Sequence, residues 1–141
     1  MANSTQVTAL AASIQRKSIY RGNVQVIPVT LVPDANASHV VSGTMPPNTY
    51  VIGVQLGVSA LGGSATLDIG YGSDAATKDL IIDGVSVSSA ALVTFPAASN
   101  GTDAGDGSPV DVSGKILTIT TIGGTYSSET IGGYILIATD E

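Results

Sequence analysis

An alternation of apolar and polar side chains runs from residue 49 to residue 60 and constrains the chain more than any other feature. Tyr50, Ile52, Val54, Leu56, Val58 and Ala60 recur at every second position, with Thr49, Gly53, Gln55, Gly57 and Ser59 between them. A period of two belongs to a strand with one buried face, whereas a helix stripe repeats every three to four residues. The alternation returns at Leu67, Ile69 and Tyr71, at Leu117 and Ile119, and at Ile135 and Ile137 opposite Tyr134 and Leu136. Val, Ile and Thr supply 43 of the 141 residues, and these β-branched types pack well on a pleated surface.

Turn residues punctuate these runs and give roughly eight strands. The first covers residues 23–32, where Val24 and Val26 share one face before Ile27, Val29 and Leu31 take over around Pro28. Proline has no N–H to give a ladder, so that strand lies at a sheet edge or is bulged. Residues 38–42 form a short second strand. Gly62-Gly63 supplies the positive φ of a tight turn, which predicts a β-hairpin joining the 49–60 run to the strand ending at Tyr71. Shorter strands follow at 80–83, ending in an Asp83-Gly84 turn, and at 85–88 and 91–95, the last two read as one strand broken by serines. Residues 115–122 and 133–139 complete the set. Residues 96–109 are a low-complexity stretch of small and polar types, the longest without core residues. The expected fold is an all-β antiparallel sandwich, jelly-roll-like, with an immunoglobulin-like sandwich as the second choice.

Charge divides the chain in two. Residues 1–21 hold Arg16, Lys17 and Arg21 and no acid, while residues 22–141 hold two lysines against all eleven acids, a net −9. That division predicts a basic N-terminal arm (1–21) ahead of an acidic β-sandwich body (22–141). No basic region precedes the short apolar run at residues 9–12, so no secretory signal is expected. An acidic body with six aromatic residues argues against a nucleic-acid groove, and no apolar run approaches the ~20 residues of a membrane-spanning helix.

Chemistry-bearing residues are few. The absence of cysteine excludes thiol nucleophiles, disulfides and thiolate metal sites. The single histidine, His39, has no nucleophile-elbow context and no second histidine with which to share an ion. Asp103, Asp106 and Asp111 crowd one stretch, and Asp74, Asp79 and Asp83 another; both fail the spacing of a calcium loop and read as solubilising carboxylates. The glycine pairs precede no Lys-Ser/Thr and no helix, so they form no phosphate cradle. The expectation is a non-enzyme with no catalytic residue, no metal and no cofactor.

The run from Ala65 through Asp68, Ile69, Gly70, Tyr71, Gly72 and Asp74 to Ala75, followed by Lys78-Asp79-Leu80-Ile81, resembles a segment of small tailed-phage virion proteins. The chain as a whole is similar in character to capsid decoration (cement) proteins, which are small, cysteine-free and β-rich with an N-terminal arm. The resemblance implies a jelly-roll-like body on the capsid exterior, bound to the major capsid protein and to itself as a trimer. It also implies an arm that clamps neighbouring capsomers, with Arg16, Lys17 and Arg21 as its docking residues. A tail, head-fibre or receptor-facing virion protein is the rival reading. A carbohydrate-binding module or a small esterase-like enzyme on the same sandwich is a further one.

Overall fold

In a computed structural model of the chain, the described residues are 23–33, 36–72, 74, 76–95, 101, 108–126 and 128–139. They form nine strands and no helix: β1 (Asn23–Leu31), β2 (Ala37–Thr44), β3 (Thr49–Val58), β4 (Thr66–Tyr71), β5 (Ile82–Ser86), β6 (Ala91–Phe95), β7 (Val110–Asp111), β8 (Ile116–Ile122) and β9 (Ile131–Thr139). Sheet I has the order β1-β9-β3-β6, with the two-residue β7 sharing the β3 edge with β6, and sheet II has the order β2-β8-β4-β5. All pairings are antiparallel. Setting the small β7 aside, the pairs nest: β1 with β9, β2 with β8, β3 with β6 and β4 with β5. That nesting is what a long hairpin rolled onto itself produces, and it is the eight-strand jelly roll. The expected all-β sandwich is therefore the observed one.

Between the sheets lies one apolar core. Val51, Leu56, Val93, Phe95, Ile131 and Ile135 come from sheet I, and Leu67, Ile69, Ile82, Leu117 and Ile119 from sheet II. Each fully buried aliphatic side chain contributes ~1.5–3 kcal/mol relative to exposure, which is what fixes the register of both sheets.

Several sequence expectations need correction. First, β3 and β4 do not form a hairpin: β3 pairs within sheet I and β4 within sheet II. Gly62 and Gly63 do take positive φ (72° and 55°), but the turn carries the chain from one sheet to the other. Leu61 is fully buried in that connection; its N–H donates to Val87 and its carbonyl accepts from Thr125, so the segment is tied to two neighbouring loops. The hairpin is instead β4–β5. Second, the expected Asp83-Gly84 turn lies inside a strand, since β5 runs from Ile82 to Ser86, and residues 85–88 and 91–95 are not one interrupted strand, because β5 belongs to sheet II and β6 to sheet I. Third, the 49–60 alternation changes phase. A bulge between Val51 and Gly53 places Val51 in the core and Tyr50 on the outside, while Val54, Leu56 and Val58 face inward beyond it. Conversely β1 has no break at Pro28: its pairing with β9 is continuous from Asn23 to Leu31, and it is an edge strand. Val24 and Val26 are simply its outward-facing residues.

Candidate functional site

The outer faces of the two sheets follow from the registers. Residues directly opposite in an antiparallel ladder point to the same side. On sheet I, Ile27 pairs with Ile135 and Leu31 with Ile131, both pairs facing the core, so Val24, Val26, Pro28 and Thr30 face outward. Beside them lie Ala138, Leu136 and Tyr134 of β9, then Tyr50, Gly53 and Gln55 of β3, and Leu92 of β6. Val26 is 57% exposed, Leu92 61%, Val24 43% and Tyr134 37%. No Asp, Glu, Lys or Arg occurs in β1, β3, β6 or β9. The polar side chains there serve each other, since the Tyr134 hydroxyl donates to Gln55 Oε1 at 3.0 Å. The nearest charge in the sheet is Asp111, on the short β7.

Sheet II has a different exterior. Asp68, Thr118 and Thr120 sit on its outward side, yet they are only 5%, 1% and 4% exposed. The β4–β5 connection folds back over this face. Thr77 Oγ1 donates to the Tyr71 carbonyl at 2.6 Å, and Thr118 Oγ1 donates to the Gly72 carbonyl at 2.7 Å. A side chain at Gly70 would collide with the Thr77 carbonyl and the Lys78 backbone, so glycine is what lets the connection lie flat. Asp68 accepts the Gly84 N–H at 2.7 Å and has Lys78 Nζ at 3.9 Å. Burial nevertheless pushes its carboxyl above the ordinary carboxylate range, outweighing the Gly84 hydrogen bond and the Lys78 charge; Asp83 and Asp79 push the same way as burial. Val40, Ile116 and Ile122 remain exposed on this side, separately and at the rim.

A groove of about 560 Å³ opens between the sheet edges, lined by residues 28–31 of β1 and 38–41 of β2. His39 lines it beside Val29 and Leu31, and its Nε2 is buried with no hydrogen-bond partner among the described residues. Among the described residues no carboxylate orients this imidazole and no hydroxyl receives it, so they assemble no proton relay there.

The predicted docking residues Arg16, Lys17 and Arg21 lie outside the described residues, as do Asp103 and Asp106. Asp111 is described: its Oδ1 accepts the Ser113 hydroxyl at 2.6 Å and the Ser113 N–H at 2.9 Å, and these bonds pull its carboxyl below the ordinary range. Asp74 Oδ1 similarly accepts the Ala76 N–H at 2.8 Å. Both are local turn-forming contacts. Among the described residues no three His, Asp or Glu side chains converge on a common point. The surface that the sequence reading missed is the outside of sheet I; its signal was the pair Val24 and Val26, read as a phase change rather than as a second apolar face.

No protein-family model matches the chain, and the search of curated proteins gives no match. A phage capsid structure shares the fold. A chain of the cyanophage Pam1 capsid asymmetric unit superposes with a TM-score of 0.57 at 15% identity, covering 83% of this chain and 85% of that one. At that identity the likeness is one of architecture, and it extends across nearly the whole of both chains rather than over a shared module.

Proposed function

We propose that the chain is a structural virion protein of a phage, without catalytic activity, that binds the outer surface of the capsid and stabilises it as a decoration protein. The observation that carries this reading is the jelly roll it shares, over most of its length, with a chain of a phage capsid asymmetric unit. The chemistry of the body supports it. Asp68, Asp74 and Asp111 are engaged in holding backbone N–H groups, and His39 Nε2 has no partner among the described residues. A sheet exterior whose one described charge, Asp111, sits at its corner suits contact with protein, because little that is ionic must be desolvated on assembly.

In this reading Arg16, Lys17 and Arg21 anchor the chain on the major capsid protein and the bodies associate as trimers. Symmetry then multiplies individually weak contacts through effective concentration. The test is to add purified chain to capsids that lack it, then measure co-sedimentation and image the particles by cryo-electron microscopy. Density on the exterior is expected, with occupancy reduced at least tenfold when Arg16, Lys17 and Arg21 are all changed to Ala. A chain that never co-sediments with capsids overturns the decoration reading. Full occupancy by the triple variant overturns the arm assignment alone. Density at a tail or fibre supports the rival placement.

A further inference from the structure

We infer that the outer face of sheet I is a self-association surface, on which a second copy of this chain is seated. The inference deepens the virion reading by naming one contact, and it can fail or succeed independently of whether the chain reaches a capsid.

Size comes first. Four strands spaced ~4.8 Å apart, the longer ones rising ~3.4 Å per residue over nine or ten residues, give a flat face of roughly 600 Å². Side-chain relief adds to that, and about 800 Å² per partner is typical of a stable interface. The face is therefore large enough to hold a partner of its own kind, unlike the separate apolar residues at the rim of sheet II.

Charge selects the occupant. The chain carries a net −6, so most approaches between two copies bring like charges together. The acids described near sheet II (Asp68, Asp79, Asp83) belong to its exterior and to the connection that crosses it. The outside of sheet I has no charged residue on β1, β9, β3 or β6, and its one described charge, Asp111 on β7, lies at the corner opposite Tyr50, so two copies can meet over the rest of the face without repulsion and without desolvating an ion. A strongly charged partner would gain nothing from this surface. Val24, Val26 and Leu92, with half-buried Leu136, supply the apolar area, and the Tyr134 hydroxyl is already donated to Gln55 before contact. Edge-to-edge pairing is disfavoured at the β1 edge of this sheet, because Pro28 in the middle of β1 has no N–H to offer an incoming strand.

The test is sedimentation velocity and multi-angle light scattering of the full chain at micromolar concentrations. A homo-oligomer is expected. Val26→Asp and Leu92→Asp, each placing a charge on an exposed site of the face, should weaken it at least tenfold while leaving the thermal midpoint of the monomer in place. Val40→Asp is the control: that site is 68% exposed but lies on β2 in sheet II, and the variant should associate like the parent. A parent chain that is monomeric throughout this range overturns the inference, whatever else covers the face. So does an oligomer that survives both substitutions on sheet I, or one that Val40→Asp disrupts equally. Capsid binding by a chain monomeric in solution would leave the virion reading standing, and an oligomer that ignores capsids would leave this one.

Discussion

Sheet I and sheet II bury the same kind of side chain on their inner faces, Ile135 and Ile131 against Ile119 and Leu67, but their exteriors have been finished differently. The outside of sheet II is covered by its own chain: the β4–β5 connection runs across Gly70, Thr118 lies beneath Gly72, and Asp68 is buried with Gly84 and Lys78 around it. The outside of sheet I has no such cover among the described residues and no charge on its long strands. A sandwich needs only its interior to be apolar, so an uncovered apolar exterior is a feature that folding does not require. The difference separates what the molecule uses to hold itself together from what it has left to offer a neighbour.

The sharpest way to break this contrast is a matched pair of glycines. Gly70 and Gly57 both sit on outward sides of central strands, but a Cβ at Gly70 would enter the Thr77 and Lys78 backbone, while at Gly57 the nearest atom is the Gly132 carbonyl oxygen at 3.7 Å. Gly70→Ala should cost about 3 kcal/mol or more in urea denaturation, because backbone rather than a flexible side chain must move. Gly57→Ala should stay within about 0.5 kcal/mol of the parent. Equal effects at both sites would show that sheet II is not covered in the way described.

Asp68 gives the next largest effect. Asp68→Ala removes the carboxylate acceptor of the part-buried Gly84 N–H bond and should cost ~1–3 kcal/mol. Asp68→Asn keeps an acceptor for Gly84 and removes the buried charge, so it should cost less. The pH dependence separates the two explanations. Burial raises the Asp68 carboxyl, so between the ordinary carboxylate pKa and the raised one the native state holds a proton that the unfolded chain has released. Stability contributed by this group therefore declines as pH rises through that window and levels off above the folded pKa. In Asp68→Asn that decline should vanish from urea midpoints measured across the window. A variant with the parent's slope would mean that Asp68 is not desolvated.

How much of this was legible in the sequence can be read from individual residues. The alternations at Leu67–Tyr71, Leu117–Ile119 and Ile135–Ile137 gave the strands and their buried sides, because a side-chain period of two is local information. Pro28 marked an edge strand for the same reason. Pairing is not local. Gly62-Gly63 satisfies a hairpin turn and a crossing between sheets equally well, and what decides is the anchoring of Leu61 to Val87 and Thr125, dozens of residues away for both hydrogen bonds together. The bulge in β3 is legible only at Val51, the one apolar residue among the polar positions of the run. The candidate site was less legible still. Val24 and Val26 alternate correctly for the outside of β1, but an apolar residue is read by default as core, so an apolar exterior resembles a change of phase. Arg16, Lys17 and Arg21, which the charge pattern singles out, fall outside the described residues.

Hydroxyl groups offer a smaller comparison. Thr118 Oγ1 donates to the Gly72 carbonyl beneath the connection, and the Tyr134 hydroxyl donates to Gln55 in the open. Removing a buried hydrogen bond leaves its acceptor unsatisfied, whereas water replaces an exposed one. Thr118→Val should therefore cost ~1–2 kcal/mol, and Tyr134→Phe under about 0.5 kcal/mol, by the same urea titrations. If Tyr134→Phe were the costlier change, the sheet I exterior would already be closed in the isolated chain.

The smallest expected effect concerns Asp111, the charge at the corner of sheet I. Its carboxylate is bound to the hydroxyl and N–H of Ser113, which lower its pKa; burial, a smaller opposing influence, raises it. The contribution to stability is thus present above the ordinary carboxylate pKa and disappears as pH falls through the lowered folded value, the opposite sense to Asp68. Ser113→Ala removes the larger of the two lowering contacts, so the carboxyl should titrate at higher pH by nuclear magnetic resonance; Ser113 Oγ also accepts the Thr49 N–H at 3.1 Å, so the stability lost in this variant reports that bond as well as Asp111. The outcome bears on the uncovered face because Asp111 pairs with Tyr50 across the ladder. Asp111 therefore stands on the outward side with Tyr50, and Ser113 holds its carboxylate at the corner of the face. Self-association weakened by Ser113→Ala, and restored when Asp111 is also changed to Asn, would show that this local turn keeps the one described charge of the face out of the contact.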